Sequence, residues 1–125
     1  MIDERSQLKF ADNLVRLTQL SSLIDGWDDG HGRSVSPDII LATTKIITNR
    51  RIINKICRIY PTASGTVHFE FASKQYEFII EIFSKNRIDF YGLGLENKEE
   101  ISYLFDGLTE DFWDTLDDYL PSEEV

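Results

Sequence analysis

Two groups of residues in this chain have side chains suited to chemistry. The first lies in the loop 25–34, Asp-Gly-Trp-Asp-Asp-Gly-His-Gly-Arg-Ser, which brings Asp25, Asp28, Asp29 and His31 close together. Carboxylate oxygens and an imidazole nitrogen could hold a divalent cation. The spacing is not that of an EF-hand, whose ligands alternate before a glycine and end on a distant glutamate. The expectation is therefore a polar loop between helices, with Trp27 anchored in the core and the glycines supplying positive-φ turns. No metal is assigned to it.

The second group is His68, Glu70, Glu77, Glu81 and Asp89, which alternating stretches place on one face. Two carboxylates on neighbouring strands can do general acid–base work when their surroundings push their pKa values apart. The expected role is a solvated sheet face. Ile79, Phe83 and Tyr91 share it, so it is either a docking patch or the seat of C-terminal helices. His31 and His68 are the only histidines, and neither stands in a nucleophile-elbow context. Phosphate-binding and dinucleotide glycine patterns are absent. No catalytic residue and no cofactor is assigned, and the chain is read as not an enzyme.

The elements that must position these groups follow from periodicity. Leu8, Ala11, Leu14, Val15, Leu20, Leu23 and Ile24 recur at three- and four-residue spacing, which predicts an amphipathic helix over 6–23. Ser36-Pro37-Asp38 opens a second helix as cap, first-turn proline and dipole-matched acid. It runs to about residue 50, and Ile52, Ile53 and Ile56 carry the helical pattern further. From Tyr60 the period becomes two. Residues 66–71, 76–83 and 87–91 read as an antiparallel meander with short connections. Asn97 caps an expected helix to Phe105, and Thr109 caps a final one containing Phe112, Trp113, Leu116, Tyr119 and Leu120. Residues 121–125 read as a short frayed end. The fold class is α+β: two N-terminal helices packed on a three- to four-stranded antiparallel meander, with acidic C-terminal helices. Residues 1–95 form the helix-helix-meander core, and residues 96–125 an acidic, aromatic-rich extension of the same domain.

Charge narrows the function classes. The chain has 125 residues, 42% of them hydrophobic and 28% charged, with a net charge of −9. Residues 1–60 hold nine Lys/Arg and seven Asp/Glu; residues 61–125 hold four and fifteen. The last thirty residues carry eleven acids and one base, Lys98. Such a surface repels nucleic acid and attracts basic partners. Arg50, Arg51, Lys55 and Arg58 form a basic cluster without interleaved aromatics. It is read as a solvated face or as a counter-charge for the acidic end. The single Cys57 excludes an intramolecular disulfide framework and reads as a buried thiol. No stretch has the length of a membrane span and no apolar leader follows Met1, so the expected location is the cytoplasm.

Two segments together resemble a known type of protein. One is Leu23-Ile-Asp-Gly-Trp-Asp-Asp-Gly-His-Gly running into Val35-Ser-Pro37 and a helix. The other is Tyr60-Pro-Thr-Ala-Ser-Gly-Thr-Val-His-Phe-Glu-Phe71, followed by a strand ending Ile80-Glu-Ile82. They resemble a diffuse group of small bacterial proteins with a Trp/Gly loop before a helix and a Pro-x-x-x-Gly turn before an apolar-Glu-aromatic strand. That group tends to have Trp where this chain has Phe71. The resemblance spans residues 20–91 and implies an accessory protein of a mobile or defence-type gene pair; it carries over no catalytic residue.

The function expected is a non-enzymatic protein-binding module of antitoxin, immunity or inhibitor type. Its partner would be a protein with a basic surface, with no direct nucleic acid and no membrane. Phe112, Trp113, Leu116 and Tyr119 would anchor the contact, and Asp114, Asp117 and Asp118 would steer it. The alternatives are a small enzyme using the sheet-face carboxylates and an acidic nucleic-acid mimic.

Overall fold

The fold was obtained as a computed structural model, which describes residues 4–49 and 56–120. Three helices and five strands follow one another as α1 (Glu4–Ser21), α2 (Pro37–Ile47), β1 (Ile56–Pro61), β2 (Val67–Ala72), β3 (Tyr76–Ser84), β4 (Arg87–Gly94), β5 (Glu100–Phe105) and α3 (Glu110–Tyr119). The strands form one antiparallel meander in chain order, β1-β2-β3-β4-β5.

Alternation along the strands separates two faces. Val67, Phe69 and Phe71 point inward opposite Ile82, Ile80 and Phe78, and Ile88 and Phe90 continue the layer on β4. All three helices cover this side. Leu20 of α1 and Ile39, Ala42, Ile46 and Ile47 of α2 are buried with it, as are Phe112 and Leu116 of α3. Gly92 lies under the Phe78 ring, where a Cβ would sit 3.0 Å from a ring carbon. No described helix covers the other face of the sheet.

Two of the three expected helix caps are present. The Ser36 hydroxyl accepts from the Ile39 N–H at 3.3 Å, and the Thr109 hydroxyl accepts from the Phe112 N–H at 3.4 Å. The α+β class and the meander stand as expected, but the strand count and two helical assignments do not. Ile56 belongs to β1, whose Tyr60 pairs with His68 on β2. Residues 100–105 are β5, not a helix: Ile101, Tyr103 and Phe105 pair with Gly92, Phe90 and Ile88. The Asn97 side chain accepts from the Glu99 N–H at 2.9 Å, and Lys98 takes a left-handed φ of 58°. Asn97 thus makes a hairpin turn where a helix cap was expected. Trp27 is also placed differently. It is half-buried inside its own loop, its indole N–H donating to the Arg33 carbonyl at 2.7 Å, with Gly32 against its ring.

The continuation of the helical pattern through Ile52 and Ile53, the basic residues Arg50, Arg51 and Lys55, the Cys57 side chain and the end 121–125 lie outside the described residues.

Candidate functional site

The loop 25–34 is held by its own hydrogen bonds. Asp28 and His31 form a two-residue bridge, and the Gly26 N–H donates to the Gly32 carbonyl at 2.7 Å. Asp25 accepts from the Ser34 N–H at 2.9 Å, which holds its carboxyl below the ordinary carboxylate value. Asp25 therefore acts as a loop clasp. Among the described residues no cluster of three His, Cys, Asp or Glu side chains has a metal-binding arrangement.

The uncovered sheet face holds a continuous polar chain across β1, β2 and β3. The Tyr60 hydroxyl donates to Glu70 Oε2 at 2.6 Å and lies 3.1 Å from His68 Nδ1. His68 Nε2 is 2.8 Å from Glu81 Oε1. The second oxygen of Glu81 accepts from the Thr66 hydroxyl at 2.8 Å, and Thr66 shares a 2.6 Å bond with Thr62. Arg58 ends the chain, 3.5 Å from Glu70 Oε1 and over the Tyr60 ring. Register explains the assembly: Arg58 stands opposite Glu70, Tyr60 opposite His68, and His68 opposite Glu81. The bond to Glu70 pushes the Tyr60 phenol up from its ordinary value, so it remains a donor near neutral pH.

This arrangement satisfies its own members. Each oxygen of Glu81 has a protein partner, and so does each oxygen of Glu70. A poised acid–base pair needs a carboxyl free to meet substrate and a cleft that excludes water. The depression beside it, about 380 Å³ and open to solvent, includes Glu70, Glu77, Ile79 and Tyr91. The polar chain therefore acts as a brace joining three strands. Of the grouped residues, Glu77 and Asp89 stand outside it, and Asp89 pairs with Arg87 at 3.5 Å.

The acidic end is organised differently. Phe112 and Leu116 are both 0% exposed, packed on their own domain, so they are core residues. Phe112 meets Phe105 edge-on at 5.4 Å between ring centres, and Trp113 stands half-buried against Phe112. Tyr119 is half-buried over Tyr76, Phe78 and Phe90, and its hydroxyl lies 3.2 Å from that of Tyr103. The hydrogen bond to Tyr103, reinforced by burial, pushes the Tyr119 phenol up to about 12. Asp117 is half-buried, whereas Glu110, Asp111, Asp114 and Asp118 are exposed. Among the described residues none of these four exposed acids has a basic side chain in ion-pair range. Arg58, one expected counter-charge, is engaged on the outer face instead.

Sequence reasoning missed Tyr60, Thr62 and Thr66 as partners of the outer-face carboxylates, and Tyr103 as the partner of Tyr119. Alternation beginning at Arg58 would have revealed the first set. Comparison with family models, curated proteins and solved structures finds no match for this chain. Among the described residues no helix is long and apolar enough to cross a membrane.

Proposed function

We propose that this chain is a non-enzymatic protein-binding module, of antitoxin, immunity or inhibitor type, that presents an acidic surface to a basic partner protein in the cytoplasm. One observation carries the reading. α3 turns its apolar stripe onto the sheet and leaves Glu110, Asp111, Asp114 and Asp118 outward without ion-pair partners among the described residues. Charges left unpaired on one ridge raise the encounter rate with an oppositely charged surface.

The anchoring set expected from sequence is reduced by the fold. Asp114 and Asp118 steer; the half-buried Trp113, Asp117 and Tyr119 can contribute their exposed edges; Phe112 and Leu116 support the helix from beneath. The enzyme alternative is weaker because Glu70 and Glu81 are already hydrogen-bonded within the protein. The nucleic-acid mimic is weaker because the acids are gathered at one end rather than spaced along the chain.

The test is co-purification of the tagged chain from its native host, compared with an Asp114→Lys/Asp118→Lys double variant. Deleting residues 96–125 would remove β5 and α3 together, so charge reversal is the cleaner change. Loss of one specific protein from the variant supports the reading; recovery of the same protein in equal amount overturns it.

A further inference from the structure

The two edges of the sheet are treated in opposite ways. In an antiparallel pair, residues alternate between bonding their partner strand and pointing their N–H and C=O away from it. At the β1 edge, the Thr62 N–H donates to the Thr66 carbonyl at 2.9 Å, which sets the phase of the ladder. Ile59 and Pro61 then point away from β2. Both are blunted: Arg16 Nε of α1 donates to the Ile59 carbonyl at 2.6 Å, and Pro61 has no N–H to offer. A bulge between Ile56 and Arg58 further breaks this edge.

The β5 edge has none of these devices. The Gly94 N–H donates to the Glu99 carbonyl at 2.8 Å, so the pairs Gly92–Ile101, Phe90–Tyr103 and Ile88–Phe105 carry the ladder bonds. Glu100, Ser102 and Leu104 therefore turn their N–H and C=O groups outward. No described residue hydrogen-bonds to those groups. The strand contains no proline, no lysine and no bulge. Two of its exposed side chains are large apolar or aromatic groups, Leu104 at 65% and Tyr103 at 41% exposure.

We infer that the free edge of β5 is a strand-addition site for an extended segment of a partner protein bearing Lys or Arg at alternate positions; the inference rests on the acidic-surface reading above. Backbone bonding to Glu100, Ser102 and Leu104 supplies the attachment, and charge supplies the choice of occupant. Glu99 precedes the strand, Glu100 begins it and Asp106 follows it, with Lys98 the only base between residues 96 and 118. A second copy pairing antiparallel with Ser102 opposite Leu104 would set Glu100 of one chain opposite Asp106 of the other, a like-charge contact. A basic segment meets those acids favourably. Its alternate side chains reach Leu104 on one face and the Tyr103 ring on the other, where a cation can sit over the aromatic.

The probe is a labelled peptide of alternating Lys and Thr, with a Glu/Thr peptide as control, titrated against the whole chain by fluorescence anisotropy. Ser102→Pro transfers to β5 the device that Pro61 provides on β1. It removes an outward N–H and leaves the bonds to β4 intact. Leu104→Pro is the second variant, used if circular dichroism shows that Ser102→Pro unfolds. Residue-resolved amide exchange is read on the free and peptide-bound protein.

The proposal expects binding of the Lys peptide alone, weakened about tenfold or more by the proline substitution. It also expects the Ser102 and Leu104 amides to exchange fast in the free chain and slowly with peptide. Unchanged affinity in the folded proline variants overturns strand addition. So do amides already slow in the dilute free chain, and so does protection that rises with protein concentration, which would make a second copy the occupant. Affinity lost in Asp114→Lys/Asp118→Lys but kept in the proline variants overturns this inference alone. No binding of the Lys peptide at all overturns it together with the acidic-surface reading.

Discussion

The hydroxyls of Tyr103 and Tyr119 stand 3.2 Å apart, one on β5 and the other near the end of α3. That bond ties the acidic helix to the edge strand and lifts the Tyr119 phenol to about 12. The folded-state pKa lies above the ordinary value of 10.0, so folding favours the protonated phenol. Its contribution to stability is full below about pH 10 and is lost as the pH rises through about 12. Urea midpoints measured across this window should fall more steeply for the native chain than for Tyr119→Phe.

The two sides of α3 should respond in opposite ways. Leu116→Ala opens a cavity in a fully buried site and should cost about 2–5 kcal/mol in chemical denaturation. Asp114→Lys and Asp118→Lys alter exposed positions and should stay within about 0.5 kcal/mol of the native chain. The second result matters for function, because it allows charge reversal to be read as a binding effect.

These contrasts also show what periodicity could and could not reveal. The stripe Phe112–Leu116–Leu120 and the Thr109 cap suffice to predict α3, and Ser36-Pro37 suffices for the start of α2. β5 is ambiguous in isolation. Ile101, Leu104 and Phe105 have helical spacing, while Ile101, Tyr103 and Phe105 have strand spacing, and six residues satisfy both. Pairing with β4, a non-local interaction, decides it. β1 was hidden for a related reason: Ile52, Ile53 and Ile56 continue the helical period of α2. Without β1, the register that brings Tyr60 to His68 and Glu70 could not be seen. Nor does composition reveal that Phe112 and Leu116 of α3 enter the core while Asp114 and Asp118 stay exposed.

The outer-face chain should behave as a brace. Glu81→Gln weakens its bonds to the His68 ring and the Thr66 hydroxyl and should cost about 1 kcal/mol, a modest figure because the site is partly open to water. A double-mutant cycle with His68→Leu should show non-additivity between the two positions. Independent effects would mean that the 2.8 Å contact adds no coupling in solution.

Gly92 should resist substitution. Gly92→Ala directs a methyl group at the Phe78 ring, 3.0 Å away, and should cost about 1–3 kcal/mol as the ring is displaced. Thermal denaturation of the variant checks this directly.

The proposed contact joins the acidic ridge of α3 to a basic protein surface. It is tested most directly by the affinity of the co-purified partner for the native chain and for Asp114→Lys/Asp118→Lys, each at about 50 mM and about 300 mM salt. Weaker binding at high salt is expected for the native chain, together with weaker binding of the variant at low salt and a shallower salt dependence for the variant. Equal affinities for both proteins at both salt concentrations would contradict it.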